Sequence, residues 1–162
     1  MKSVQLDPTD RRLLQKTQDE FPLTAQPWKS LGDDLGISEK EVMNRLGRLF
    51  RLGMIRKIGP VLDPKRVGLR ASTLIGMKVP KRRIQNVAKI LGRYPEVSHC
   101  YEREHEYNLW FTIGARNKIE LENLLEEIKR NTCIGEHDWL DLPSTRTFKI
   151  DVRFQLTQSR HL

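Results

Sequence analysis

The chain has 162 residues, 38% of them hydrophobic and 31% charged, with a formal net charge of +8. That composition excludes a disordered chain, and the length suits one large or two small domains. The positive excess is spread over both halves, so it is no basic tail, and it favours anionic partners such as nucleic acid, a membrane surface, or a ligand bearing carboxylates or phosphates.

The first unit reads as helical. LDPTDRRLLQKTQDEF offers Asp7 as an N-cap before Pro8, with Leu13 and Leu14 on a buried side. PWKSLGDDLG predicts a short helix opened by Pro27 and closed by Gly36. SEKEVMNRLGRLFRLG starts at Ser38 with Glu41 three residues on, a capping-box pattern, and its Val42, Leu46, Leu49 and Phe50 fall at helical spacing. Helix, Gly-containing turn, helix is a helix-turn-helix. MIRKIGPVLDP then reads as a two-stranded wing turned at Gly59-Pro60.

The second unit alternates strands and helices. ASTLIGMKVP predicts a strand stopped by Pro80, and Ile84, Val87, Ala88 and Leu91 mark one face of a helix. VSHCYERE and YNLWFTIGA predict a hairpin, and Leu121, Leu124, Leu125 and Ile128 mark a second helix. RTFKIDVRF alternates cleanly and predicts the closing strand, which leaves IGEHDWLDLPST as the longest irregular segment. The fold class is therefore α+β: a winged helix-turn-helix domain over residues 1–67 and a ferredoxin-like βαββαβ domain over 68–162.

Cys100 and Cys133 have no CxxC or CxxCH spacing, and phosphate and dinucleotide loops are absent. MKSVQLDPTDRR lacks the apolar core of a signal peptide, and no apolar run approaches the ~18–20 residues of a membrane span, so a cytoplasmic location is expected. Trp28, Trp139, His137 and His161 read as structural or incidental, since none lies in a dense polar cluster.

The chemistry concentrates in HCYEREHEYNLWFT, residues 99–112. Strand alternation predicts Val97, His99, Tyr101 and Arg103 on one face, and Tyr107 beside Leu109 and Phe111 on the next strand, with Asn108 and Trp110 opposite. His105 sits at the turn, free to lean over either face. Two imidazoles in one hairpin supply proton exchange near neutral pH. Glu102, Glu104 and Glu106 read as a solvated face.

SEKEVMNRLGRLFRLGMIRKIGPVLDPKRVG resembles the Lrp/AsnC regulators, which usually dimerise through the second-domain sheet. Where such a regulator carries a glycine turn and an aspartate for its effector, this chain has Glu-Arg-Glu-His-Glu at 102–106. HCYEREHEYNLWFT, with RYPEVSH, IRKIG and LPSTRTFKIDVRF, is similar instead to the siroheme decarboxylase subunits of the alternative haem biosynthesis route, which share that fold. Lys57 departs from the family's second arginine, keeping the charge without the bidentate fork.

The resemblance implies that siroheme is the substrate and that two acetates lose CO₂, giving didecarboxysiroheme. No cofactor is expected beyond the iron-tetrapyrrole substrate itself. His105 is the expected proton donor, and His99 a second acid or an axial ligand of the substrate iron. Arg103, Arg56 and Lys57 are expected to anchor carboxylates, Tyr101 and Tyr107 to line the pocket, and Asn108 and Trp110 to support it. A homologous subunit, in a heterodimer or higher oligomer, is the expected partner. The alternatives are a DNA-binding transcriptional regulator using Asn44, Arg45 and Arg48, disfavoured by Glu39 and Glu41 at the start of their helix, and a tetrapyrrole-binding protein without catalysis.

Overall fold

The structure is a computed structural model that describes residues 5–146, 148–149 and 153–157. Contacts divide these into two units, one of residues 5–60 with 149 and 153–157, the other of 61–146 with 148. This division differs from a single boundary at 67/68 in where it groups the linker and the tail.

In the first unit α1 is Pro8–Asp19, α2 Pro27–Leu35 and α3 Glu39–Arg51. The Asp7 carboxylate accepts from the Asp10 N–H at 2.7 Å while the Asp10 carboxylate accepts from the Asp7 N–H at 3.2 Å, so the start of α1 is closed reciprocally. Gly36 ends α2 at φ 70°, a left-handed conformation a side chain would strain, and the chain turns directly into α3. Leu13, Leu31, Leu35, Val42 and Leu46 interlock as the core of this unit. Ser38 caps α3 by accepting from the Glu41 N–H at 3.2 Å. The reciprocal half of the expected box is missing, because the Glu41 carboxylate turns to the Arg45 Nε at 2.7 Å instead.

The expected wing is not formed: no residue from 54 to 70 is in a strand. Pro60 and Pro64 lack the N–H a ladder needs, and an isolated two-stranded ribbon is marginal without a third strand. The tail is fastened to α1, where Gln18 donates to the Phe154 carbonyl at 3.1 Å and accepts from its N–H at 2.9 Å, and Gln15 accepts from the Leu156 N–H at 2.8 Å.

The second unit holds β1 (Ala71–Met77), α4 (Ile84–Leu91), β2 (Val97–Glu102), β3 (Leu109–Ala115), α5 (Lys118–Thr132) and β4 (Trp139–Pro143). The strands form one antiparallel sheet in the order β2-β3-β1-β4, the ferredoxin-like arrangement. Its closing strand lies earlier than expected. Arg146, Phe148, Lys149, Arg153 and Phe154 of RTFKIDVRF are in no strand, and Thr147, Ile150, Asp151 and Val152 fall outside the described residues. WLDLP takes the edge because Trp139 packs edge-on against Phe111 at 5.9 Å and the Thr73 hydroxyl donates to the Asp141 carboxylate. These contacts begin a few residues after α5, so little chain is spent closing the sheet.

Ile75, Met77, Leu109, Phe111 and Ile113 face α4 and α5, whose Val87, Leu91, Leu121, Leu125 and Ile128 complete the core. The opposite sheet face, carrying Leu74, Gly76, Trp110, Thr112, Leu140 and Leu142, has no helix over it among the described residues of this unit. No helix among the described residues is long and apolar enough to cross a membrane.

Candidate functional site

Strands β2 and β3 pair with His99 opposite Thr112 and Tyr101 opposite Trp110, and the register shifts between Val97 and His99. That β-bulge corrects the expected faces. Val97 and Cys100 both lean on the core, while His99 and Tyr101 join Trp110 on the uncovered side. The burial of Cys100 raises its thiol pKa, which keeps it neutral rather than nucleophilic.

The structure gathers the expected residues into two adjoining groups. In the first, the His99 and Tyr101 rings stack at 6.1 Å and the Arg103 guanidinium lies 5.7 Å from the Tyr101 ring centre. All three are exposed. The His99 Nδ1 lies 3.0 Å from the Ser98 hydroxyl.

The second group is the turn. Tyr107 was expected beside Leu109, yet its ring meets Trp110 edge-on at 6.4 Å, because the strand begins only at Leu109. His105 is not free to swing: its Nδ1 accepts from the Tyr107 N–H at 3.1 Å, and its ring stacks on Tyr107 at 6.2 Å. With Nδ1 engaged as an acceptor, the neutral ring carries its proton on Nε2.

Asn108 and Trp110 hold this turn against β1. Asn108 donates from Nδ2 to the Val79 carbonyl at 2.7 Å and accepts at Oδ1 from the Val79 N–H at 2.9 Å, a two-point clamp on the backbone beyond β1. The Trp110 indole N–H donates to the Tyr107 carbonyl at 2.6 Å. Its ring lies flat over Gly76, where a Cβ would come within 3.0 Å of the indole carbons. Only glycine leaves that space. Arg103 and Asn108 join the two groups through an N–H to carbonyl bond of 2.8 Å.

Lys78 and Gly76 escaped the sequence reading. The signal was present in GMKVP, where strand alternation puts both on the side opposite the buried Met77. Lys78 pairs with Glu106 and lies 4.9 Å over the Tyr107 ring. Glu106 holds the Lys78 ammonium above its ordinary pKa, and the ammonium holds the Glu106 carboxyl below its own. Arg56 and Lys57 are exposed and belong to the helical unit. Among the described residues no group of three or more His, Cys, Asp or Glu is arranged to hold a metal ion.

The helical unit contains a groove of about 510 Å³ along α3, whose charged lining is Asp7, Asp10, Glu41, Arg45, Arg48 and Arg51. The arginines of the DNA-binding alternative are engaged there. Arg45 reaches Asp7 at 2.6 Å, Asp10 at 2.9 Å and Glu41 at 2.7 Å, and Arg48 reaches Asp10 at 2.5 Å.

Such a hairpin offers proton donors, a fixed cation and aromatic walls on an exposed surface, features suited to a flat anionic ligand. Residues 10–56 match the siroheme decarboxylase NirDL-like HTH domain, and residues 66–149 the AsnC-like ligand binding domain. The chain is 42% identical to the siroheme decarboxylase NirD subunit of Pseudomonas aeruginosa, over 96% of this chain and 100% of that protein. It is 32% identical to the siroheme decarboxylase NirG subunit of the same organism, over 93% of this chain and 100% of that protein. The crystal structure of the siroheme decarboxylase NirDL in co-complex with an iron-uroporphyrin III analogue superposes with a TM-score of 0.63 at 32% identity, covering 83% of this chain and 43% of that one. The chain belongs to the family of siroheme decarboxylase subunits.

Proposed function

We propose that the chain is a subunit of an enzyme that removes CO₂ from two acetate side chains of siroheme, giving didecarboxysiroheme, and that its 99–110 hairpin binds and protonates the substrate. One observation carries this: His99 and Tyr101 on β2 and Arg103 just past its end are exposed beside the fixed His105–Tyr107 pair, in a chain 42% identical to a siroheme decarboxylase subunit. For each acetate, the bond between the methylene carbon and the carboxylate breaks and CO₂ leaves. The electron pair passes into the conjugated ring, and a proton taken up at the methylene carbon completes the methyl group. Arg103 holds a carboxylate by paired hydrogen bonds, and Tyr101 and Tyr107 face the macrocycle. Burying the reacting carboxylate between aromatic rings strips its hydration and eases CO₂ loss. His105 delivers the proton as an imidazolium and is left neutral, and His99 serves as second acid or as a ligand of the substrate iron. Arg56 and Lys57 are assigned as further carboxylate anchors on charge and family likeness.

The partner in this reading is a homologous subunit, as NirD and NirG subunits exist side by side in one organism, and the pair works in the cytoplasm without a cofactor beyond the iron-tetrapyrrole substrate. Anaerobic incubation with siroheme, with and without the homologous subunit, is expected to yield product lacking two carboxyl groups in the paired sample. Siroheme bound but unchanged in both samples would instead make the chain a tetrapyrrole carrier.

DNA is not a partner in this reading. Sequence-specific binding needs free base-reading side chains at the start of the recognition helix. Here Glu39 and Glu41 stand there, and Arg45 and Arg48 are committed to carboxylates. The expected result is weak duplex binding that falls steeply with salt and does not discriminate among sequences, measured by fluorescence anisotropy. A clear specificity ratio for one duplex would restore the regulator reading.

A further inference from the structure

We propose that Lys78 and Glu106 form a latch that positions Tyr107 and, through it, His105 for proton delivery, neither latch residue touching the substrate. The inference rests on the decarboxylase reading and adds two positioning residues to it. Lys78 leaves β1 with its backbone fixed, since its N–H donates to the Asp138 carbonyl at 2.9 Å and the next residue, Val79, is clamped by Asn108. Its ammonium then does two things at once. It pairs with the Glu106 carboxylate at the tip of the turn, and it lies 4.9 Å over the Tyr107 ring. The Tyr107 N–H in turn holds the His105 Nδ1 at 3.1 Å, with the two rings stacked at an interplanar angle of 20°.

The turn is thus held at two ends. Asn108 and the Trp110 indole fix the end entering β3, whereas the loop tip from Glu104 to Glu106 has no side-chain tie to β1 except through Lys78 among the described residues. Of Glu102, Glu104 and Glu106, only Glu106 has an ion-pair partner there. Exposed pairs contribute little to global stability, and a cation over an exposed ring adds a comparable small amount. Those small energies suffice to bias one loop among a few conformers, and a loop out of place slows proton transfer without altering the fold.

The test uses the assembled enzyme with its homologous subunit. Lys78→Gln, which loses both contacts, is expected to lower kcat about fivefold to tenfold, and Glu106→Gln, which loses the pair alone, about threefold. KM for siroheme stays within about twofold in both. The exchanged variant Lys78→Glu with Glu106→Lys restores the pair but not the cation over the Tyr107 ring, and is expected to recover the pair's share, about threefold, of the Lys78→Gln loss. In parallel, the Trp110 indole N–H, bonded to the Tyr107 carbonyl, is expected to exchange faster with solvent in each single variant and to slow again in the exchanged one. This readout needs no turnover, so it stands even where the decarboxylase reading fails. Unchanged indole exchange overturns the latch, as does a rise in KM on losing Lys78 that Glu106→Gln does not share, which makes Lys78 a direct substrate anchor.

Discussion

Replacing His105 by Ala is expected to slow CO₂ release from siroheme about 10²–10⁴-fold in the assembled enzyme, the usual cost of losing a positioned general acid. Siroheme affinity, followed by absorption titration, is expected to change little, because the proposed site holds the carboxylates by arginine and the macrocycle by tyrosines. The protein's unfolding midpoint is also expected to hold. His105 is exposed, and water replaces its Nδ1 as acceptor for the Tyr107 N–H, so no buried polar group is stranded. A rate loss with unchanged binding and stability is the signature of a group acting only in the transition state. The parallel His99→Ala variant separates the two roles proposed for that residue. As second acid its loss leaves product that has shed one carboxyl group, and as iron ligand it shifts the bands of bound siroheme. Near-normal rates for both variants would remove the histidines from catalysis.

Much of this geometry follows from sequence pattern, and the failures are instructive. Helices α1 to α5 were legible because apolar residues fall at helical spacing, and caps such as Asp7, Ser38 and Gly36 mark the ends of α1 to α3. The cluster at 99–110 was legible from its density of titratable groups. Its faces were not, since one inserted residue near Ser98 flips everything before it relative to everything after, and no residue type announces a bulge. The choice of closing strand was a competition. RTFKIDVRF has the stronger alternation, but WLDLP has Trp139 for Phe111 and Asp141 for Thr73, and such tertiary matches override local pattern. Lys78 and Glu106 are 28 residues apart, and Arg48 and Asp10 are 38 apart, so neither pair was visible before the chain was folded.

The Asp10 pair carries the second large effect. Asp10 is 1% exposed and receives Arg45 at 2.9 Å and Arg48 at 2.5 Å while closing the α1 cap. Asp10→Ala leaves both guanidiniums facing the place of a lost carboxylate. Stranding a buried charge costs several kcal/mol, but the Arg45 and Arg48 side chains are 21% and 39% exposed and recover some solvation, so a loss of about 2–3 kcal/mol in urea unfolding is expected. Asp10→Asn keeps the shape and part of the cap, and is expected to lose less. Burial opposes ionisation of Asp10, but the bonds from Arg48 and Arg45 and from the Asp7 N–H outweigh it and hold the carboxyl below its ordinary value. A carboxyl depressed in the folded state stabilises the protein fully above the unfolded-chain value, and that contribution is lost as pH falls through it toward the folded one. The wild-type minus Asp10→Asn stability difference is therefore expected to be flat near neutrality and to shrink on acidification below about pH 4. A difference that grows with acid would mean that Asp10 is not the ionised partner of the α3 arginines, and it would return those arginines to the pool free to contact phosphates.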